Sequence, residues 1–165
     1  YEALVARFGG PATAEELSQR HFRLVCQLLE EYRVGPMPGL EEALSALRRR
    51  GVPFGVVSSS WRWYVEHCLR ELGMYEDAAV IVTGSDGLPL KPAPAPYQAA
   101  ARVFRPAPPG AVLAVEDSGS GVRSAVAAGL ACAAVYNPDS GAQDLSPARW
   151  RLNSLYELPA LLDGN

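Results

Sequence analysis

The run Ala111-Val-Leu-Ala-Val115 constrains this chain more than any other stretch. Five apolar residues without alternation are too few for a helix. They suit a strand buried on both faces, the pattern of a parallel sheet. Two carboxylates, Glu116 and Asp117, stand where that strand should end, and a Ser-Gly-Ser-Gly turn then opens a helix. Ala125, Val126 and Gly129 are spaced to pack this helix back on the sheet. In an open α/β sheet, ligands bind in the crevice beyond the carboxyl ends of the strands. Paired acids at that place suit a hard divalent cation, Mg2+ above all, which takes oxygen ligands and shares them with a substrate phosphate. The same residues also read as a strand-terminal acid and a helix N-cap, since Asp and Ser both cap well. The stretch by itself leaves both readings open.

The rest of the chain repeats the rhythm of strand and helix. Residues 1–8 predict a helix ended by Gly9-Gly10-Pro11, and Thr13 and Glu16 have capping-box spacing. Behind them Leu17, Leu24, Val25, Leu28, Leu29 and Tyr32 repeat at helical period, so 14–33 is a long amphipathic helix. His21 and Cys26 within it read as packing or surface residues. Gly35-Pro-Met-Pro-Gly39 is a break that suits a domain boundary, dividing the chain into 1–34 and 35–165. Strands are then expected at 53–58, 79–83, 111–115, 131–136 and, at an edge, 149–152. Helices are expected at 40–50, 61–72, 95–104, 120–128 and 155–162. This alternation predicts an α/β fold, a doubly wound parallel sheet with a Rossmann-like core.

Composition excludes several classes of function. The net charge is −3 with no basic stripe, which argues against nucleic acid as a partner. No apolar run reaches membrane-spanning length. Cys26, Cys68 and Cys132 are far apart and form no metal-ligand pair, and they fit small buried hydrophobes in a reducing, cytoplasmic setting. Of the 15 basic residues only Lys91 is a lysine, which points to a place where a compact ammonium is needed. The first residue is Tyr1, inside a predicted helix, so the chain is expected to continue a longer protein.

In a parallel sheet every βα loop lies at one edge. Ser58-Ser59-Ser60, Lys91 and Glu116-Asp117 are therefore expected around one crevice. Together they offer hydroxyls and helix N-terminal amides, a fixed cation and a metal site, an inventory for a phosphoryl group. Taken singly, the serines also read as an N-cap for the helix at Trp61, and Lys91 as a solvated loop charge. A Ser-His-Asp hydrolase built from Ser58, His67 and Asp117 is the competing chemistry. It lacks the G-x-S-x-G elbow and places His67 inside a helix away from the loop.

Five segments in order carry a resemblance: PMPGL at 36–40, GVVSSS at 55–60, TGSD with KPAPAPY within 83–97, VEDSGSGVRSAVAAG at 115–129 and VYNP at 135–138. With them the chain resembles the haloacid dehalogenase superfamily, in its branch of β-phosphoglucomutase-like sugar phosphatases, from Gly35 onward. The resemblance implies that Ser58 binds the phosphoryl group and that Lys91 steadies phosphate and nucleophile. It makes Glu116 and Asp117 the pair that binds Mg2+, and residues 1–34 the remnant of a helical cap. Ser59, Ser60 and Arg62 are expected to contact substrate, although Trp61, Arg62 and Trp63 equally suit a helix surface.

The family's D-x-D-G-T/V motif, which supplies the Asp nucleophile and the Asp acid/base, is absent. The aspartates are Asp77, Asp86, Asp117, Asp139, Asp144 and Asp163, none in a D-x-D. By the family's order that motif is expected before Tyr1. The resemblance thus implies an Mg2+-dependent phosphatase of a small phosphorylated metabolite, a sugar phosphate, working through an aspartyl-phosphate. The complete protein is expected to be a monomer without nucleic-acid or membrane partners, and the chain alone is expected to be inactive. A phosphosugar mutase and a catalytically dead phosphate-binding module are the alternatives.

Overall fold

The computed structural model describes residues 1–32, 35–105, 107 and 111–163. The chain divides into two compact units, Tyr1–Pro36 and Met37–Asn165. The expected helix end at Arg33 and the expected boundary at Val34 lie outside the described residues.

The first unit holds α1 (Glu2–Phe8) and α2 (Ala14–Glu31). The predicted capping box is formed at the start of α2. The Thr13 amide donates to Glu16 Oε2 at 2.8 Å, and the Glu16 amide donates to Thr13 Oγ1 at 3.2 Å. The hydrogen bond from the Thr13 amide, together with that from the Thr13 hydroxyl, holds the Glu16 carboxyl below its usual range. His21 is not without a partner, since its Nδ1 is hydrogen-bonded to the Tyr1 hydroxyl.

The second unit alternates strand and helix. Its elements are α3 (Leu40–Arg50), β1 (Phe54–Val57), α4 (Arg62–Glu71), β2 (Ala78–Val82), α5 (Ala95–Ala101), β3 (Leu113–Glu116), α6 (Gly119–Ala127), β4 (Ala131–Val135), β5 (Trp150–Leu152) and α7 (Leu158–Asp163). The dipole of α3 is matched as its sequence predicts, with Glu41 and Glu42 in the first turn and Arg48, Arg49 and Arg50 in the last. Two expected helices are shorter than their apolar patterns. After Ala101, α5 tightens into a 3-10 turn, and α7 is entered through another at Leu155–Glu157.

All strand pairs are parallel. β4 lies between β3 and β5, with Leu113 opposite Ala131, Glu116 opposite Ala134, and Val135 opposite Leu152. Its Cys132, Ala133, Ala134 and Val135 are each at most 1% exposed. Cys132 and Ala134 pack with Tyr97 of α5 and with Val122 and Ala125 of α6. Ala133 and Val135 pack on the other side with Ala43 of α3 and Leu158 of α7. The sheet is thus covered on both faces, which is why its central strand reads as unbroken apolar sequence. No helix among the described residues is long and apolar enough to cross a membrane.

One feature departs from a single continuous sheet. β1 and β2 form a two-stranded sheet, while β3, β4 and β5 form a three-stranded one. Among the described residues, no strand pairs with the second edge of β1 or of β3. A cavity of about 1030 Å3 lies against both edges and is lined by all four residues of each strand. Val115 of β3 is 37% exposed there, although its strand neighbour Ala114 is buried. Such a slot leaves backbone donors and acceptors without ladder partners and offers an edge for pairing with another chain.

A polypeptide of these 165 residues alone is therefore expected to self-associate and to bind a hydrophobic dye. Sedimentation and dye fluorescence check this. A monodisperse, dye-silent monomer with a cooperative melt would contradict an open slot.

Candidate active site

The carboxyl ends of β1 and β3 meet through one side chain. Lys91 Nζ donates to the carbonyl oxygen of Val57, the last residue of β1, at 2.8 Å. The same ammonium is ion-paired with Oε1 of Glu116, the last residue of β3. Both side chains are almost buried, 10% and 6% exposed. Only a cation long enough to span two strand ends, and small enough to fit between them, can make this link.

Glu116 is held from every side. Oε1 also accepts from the buried Tyr97 hydroxyl, and Oε2 accepts from Ser118 Oγ at 3.2 Å. Ser118 in turn caps α6 by accepting from the Gly121 amide at 3.1 Å. The carboxylate lies directly over Gly121, where a Cβ would overlap it. The glycine in the Ser-Gly-Ser-Gly turn is thus required by the space the carboxylate occupies. Glu116, expected as a metal ligand, has its oxygens engaged by Lys91, Tyr97 and Ser118. Its place in the structure is that of the anion that fixes Lys91.

Tyr97 was not singled out by sequence reasoning. Its signal is positional, an aromatic hydroxyl six residues after the only lysine. Burial raises its pKa, and the charge and hydrogen bond of Glu116 add to the rise. The hydroxyl therefore stays a donor to the carboxylate. Cys132 lies near the same network, and burial, with the Glu116 charge, pushes its thiol up to about 11.

Asp117, the next residue, is half-buried. Its Oδ2 accepts from Asn137 Nδ2 at 2.8 Å and from Ser140 Oγ at 3.1 Å. Among the described residues no donor reaches its Oδ1. Among the described residues no group of three or more His, Cys, Asp or Glu is placed to hold a metal ion. A single hard carboxylate oxygen facing a cavity nevertheless fits Mg2+, which is bound through one or two carboxylates with waters and substrate phosphate completing its octahedron.

The serine loop is built differently from a helix cap. α4 begins at Arg62, and Trp61 at its N-cap makes no side-chain cap bond. The Arg62 amide instead donates to Ser85 Oγ at 3.0 Å, from the loop after β2. Ser58 Oγ accepts from the Ser60 amide at 3.1 Å, and the Ser60 carbonyl oxygen accepts from the Gly84 amide at 2.8 Å. Gly84 permits this approach, since a Cβ there would strike the Ser59 carbonyl.

Ser58, Ser59, Lys91, Glu116 and Asp117 line the one cavity that also faces both free strand edges. Ser60 and Arg62 do not line it; Ser60 reaches the site only through its amide on Ser58 Oγ. The Arg62 guanidinium is spent on Asp86, at 2.7 and 2.9 Å, with Glu66 at 3.5 Å and the Ile81 carbonyl at 3.3 Å. Asp86 also accepts from the Thr83 amide at 2.9 Å. Arg62 and that amide hold the Asp86 carboxyl below its ordinary value. Arg62 thus ties the loop after β1 to the loop after β2. His67, on α4, lies outside the cavity lining as well, so the Ser-His-Asp arrangement is not assembled.

A model of the haloacid dehalogenase-like hydrolase family matches residues 3–129. The chain is 33% identical over 166 residues to the putative phosphatase YhcW of Bacillus subtilis strain 168, covering 99% of this chain and 74% of that protein. It is 32% identical over 121 residues to validoxylamine A 7'-phosphate phosphatase of Streptomyces hygroscopicus subsp. limoneus, covering 68% of this chain and 56% of that protein. Among solved structures it is similar to CbbY from Rhodobacter sphaeroides in complex with phosphate, with 26% identity and a TM-score of 0.78 over 90% of this chain and 67% of that one. A mutant of the same CbbY in complex with xylulose-(1,5)bisphosphate superposes with a TM-score of 0.75 at 25% identity, over 94% of this chain and 72% of that one.

Two outcomes test the network around Glu116. With its thiol pKa near 11, Cys132 is about one part in a thousand thiolate at pH 8, so it should resist alkylation in the native protein and react after denaturation. Peptide mass spectrometry reads this, and rapid native labelling would refute it. Gly121→Ala should displace the carboxylate and cost roughly 1–3 kcal/mol in a urea titration. Parental stability would show that Glu116 does not need that space.

Proposed function

The chain belongs to the haloacid dehalogenase-like hydrolase family, and on that footing we propose that it carries the phosphate-handling part of an Mg2+-dependent phosphatase acting on a sugar phosphate. Hydrolysis of a small phosphoric monoester is the coarser part of this reading, supported by relatives that are named phosphatases. The sugar phosphate is the finer part. It is supported by validoxylamine A 7'-phosphate in the name of one relative and by xylulose-(1,5)bisphosphate in the complex of another. We assign α1 and α2 to a helical cap of the same protein.

The observation that carries the reading is the lining of one cavity by Ser58, Lys91 and Asp117 at the carboxyl ends of parallel strands. Each offers a group that is only partly used. Ser58 Oγ accepts from the Ser60 amide, and among the described residues nothing accepts its proton, which is left for a phosphoryl oxygen. Lys91 places two N–H groups on Val57 and Glu116 and keeps a third. Asp117 keeps Oδ1 for a cation. Bound there, Mg2+ supplies charge neutralisation to the phosphoryl oxygens as they gain charge.

The nucleophile is assigned to an aspartate outside these 165 residues, on a strand seated in the slot between β1 and β3. Its carboxylate oxygen attacks phosphorus in line while the ester P–O bond breaks. The leaving sugar oxygen takes a proton from the second acid of that motif. Water then hydrolyses the aspartyl-phosphate and returns the free carboxylate. Lys91 sits where it steadies both the attacking oxygen and the phosphoryl group, and Glu116 keeps it there.

The experiment uses the protein as expressed from its gene, assayed on a panel of sugar phosphates with and without Mg2+. Asp117→Asn should lower Mg2+-dependent kcat/KM by about 100-fold or more, the scale of removing one electrostatic contact made in the transition state. Lys91→Arg keeps the charge but not the reach, and should also lose about 100-fold through misplacement. Turnover within a few-fold of the parent in either variant would remove that residue from the site. Absence of hydrolysis across the whole panel would overturn the phosphatase reading.

A further inference from the structure

Asp117 is held by a loop that belongs to another strand. It follows β3, but the two donors on its carboxylate come from the segment after β4, whose 3-10 turn spans Pro138–Ser140. Asn137 caps that turn, its Oδ1 accepting from the Asp139 amide at 3.0 Å. This fixes the side-chain amide one way round. With a donor N–H against Oδ1, the opposite end must be the NH2, which faces the acceptor Oδ2 of Asp117 at 2.8 Å. Turning the amide over would set its oxygen against a carboxylate and its NH2 against an amide N–H, two repulsive contacts in place of two bonds.

The turn is itself braced against the helix that Asp117 precedes. Gln143 Oε1 accepts from the Gly119 amide at 2.9 Å, while its Nε2 donates to the Ser140 carbonyl at 2.8 Å. The backbone of Asp144 comes so close that a Cβ on Gly119 would stand 2.9 Å from its carbonyl oxygen. Ser140, placed by this brace, adds the second bond to Oδ2 at 3.1 Å.

The asymmetry is the informative part. Both donors converge on Oδ2, and among the described residues none reaches Oδ1. A lone carboxylate rotates about its last torsion and can chelate a cation through both oxygens. Two donors on one oxygen stop that rotation and leave the other oxygen as a single ligand of fixed direction. Mg2+ favours that arrangement, since a four-membered chelate strains its near-ideal octahedron at about 2.0–2.1 Å. Partners of metal ligands are known to set affinity by about 10- to 100-fold.

We propose that Asn137 and Ser140 are positioning residues that hold Asp117 Oδ2 so that Oδ1 is presented to the divalent cation. The inference rests on the phosphatase reading, through which the cation enters, and it gives the loop after β4 a part in the site.

The test uses the protein as expressed from its gene, with Mn2+ as the probe and electron paramagnetic resonance as the readout of binding. Asn137→Ala should weaken Mn2+ binding about 10-fold, and the double change with Ser140→Ala about 100-fold. The Mg2+ concentration for half-maximal turnover should rise in parallel. KM for the phosphate ester at saturating Mg2+ should stay at the parental value, which a general loss of structure would not allow. Ser140→Thr keeps the hydroxyl and should bind Mn2+ like the parent, whereas Ser140→Ala should not. This pair keeps the test decisive if the double variant is unstable.

Mn2+ affinity within twofold of the parent in Asn137→Ala, or an equal effect of Thr and Ala at position 140, overturns the inference. Asp117→Asn separates the two levels. If it abolishes Mn2+ binding while the loop variants leave it intact, only the positioning role fails. If it binds Mn2+ like the parent, the metal role of Asp117 fails and the positioning role with it.

Discussion

The structure depends on the buried pair of Lys91 and Glu116. Two opposite charges with little access to water are tolerated only when further hydrogen bonds satisfy them, and losing one partner typically costs about 3–5 kcal/mol. Here the satisfaction is shared across the fold: Val57 from β1, Tyr97 from α5, and Ser118 from the turn that opens α6. The pair fixes the separation of two strand ends between which no described strand lies. Ser58 and Asp117 face one cavity because this pair sets the distance across it.

Each sheet brings its part of the site on its own brace. On the β1 side, Arg62 and Asp86 join two loops, and Gly84 lets their backbones touch. On the β3 side, Asn137, Ser140 and Gln143 fasten the loop after β4 to the acid after β3. Neither brace contributes a group to the cavity beyond the residue it holds. Each includes side chain–carboxylate contacts of the charge-assisted kind, Arg62 on Asp86 and Asn137 and Ser140 on Asp117, roughly twice as strong as neutral hydrogen bonds. Beneath them, the small residues of β4 let helices approach from both sides and make the edge stiff.

Much of this was legible in the sequence, for local reasons. Strands appeared as short apolar runs, the start of α2 as the Thr13–Glu16 spacing, and the end of α3 as Arg48-Arg49-Arg50 before Gly51. Ser58, Lys91 and Asp117 could be placed at one edge because parallel topology alone dictates it. What escaped was pairing between residues far apart. Arg62 beside two tryptophans suggests a pocket wall, yet its partner is Asp86, 24 positions on. Glu116 and Asp117 look like one acid pair, but the first is turned inward by strand alternation and the second lies beyond the strand. Tyr97 and Asn137 lie in the KPAPAPY and VYNP segments, but no periodicity marks a hydroxyl or an amide that meets a carboxylate across the fold. The division into two sheets cannot be read from the strands themselves, because each reads the same with one neighbour or two; it follows only from the family resemblance, whose first strand, with the D-x-D motif, is absent from these residues.

The singularity of Lys91 also reaches into the chemistry of the protein's surface. Because the other 14 of the 15 lysines and arginines are arginines, these 165 residues offer no solvent-facing ε-amine. Among these 165 residues, acylating reagents, amine cross-linkers and enzymes that acetylate or ubiquitinate lysine therefore meet one lysine, and it is shut between two strand ends. The nucleophilicity of that amine becomes a gauge of how often the site opens. The residue that joins the two sheets doubles as a built-in reporter of their separation.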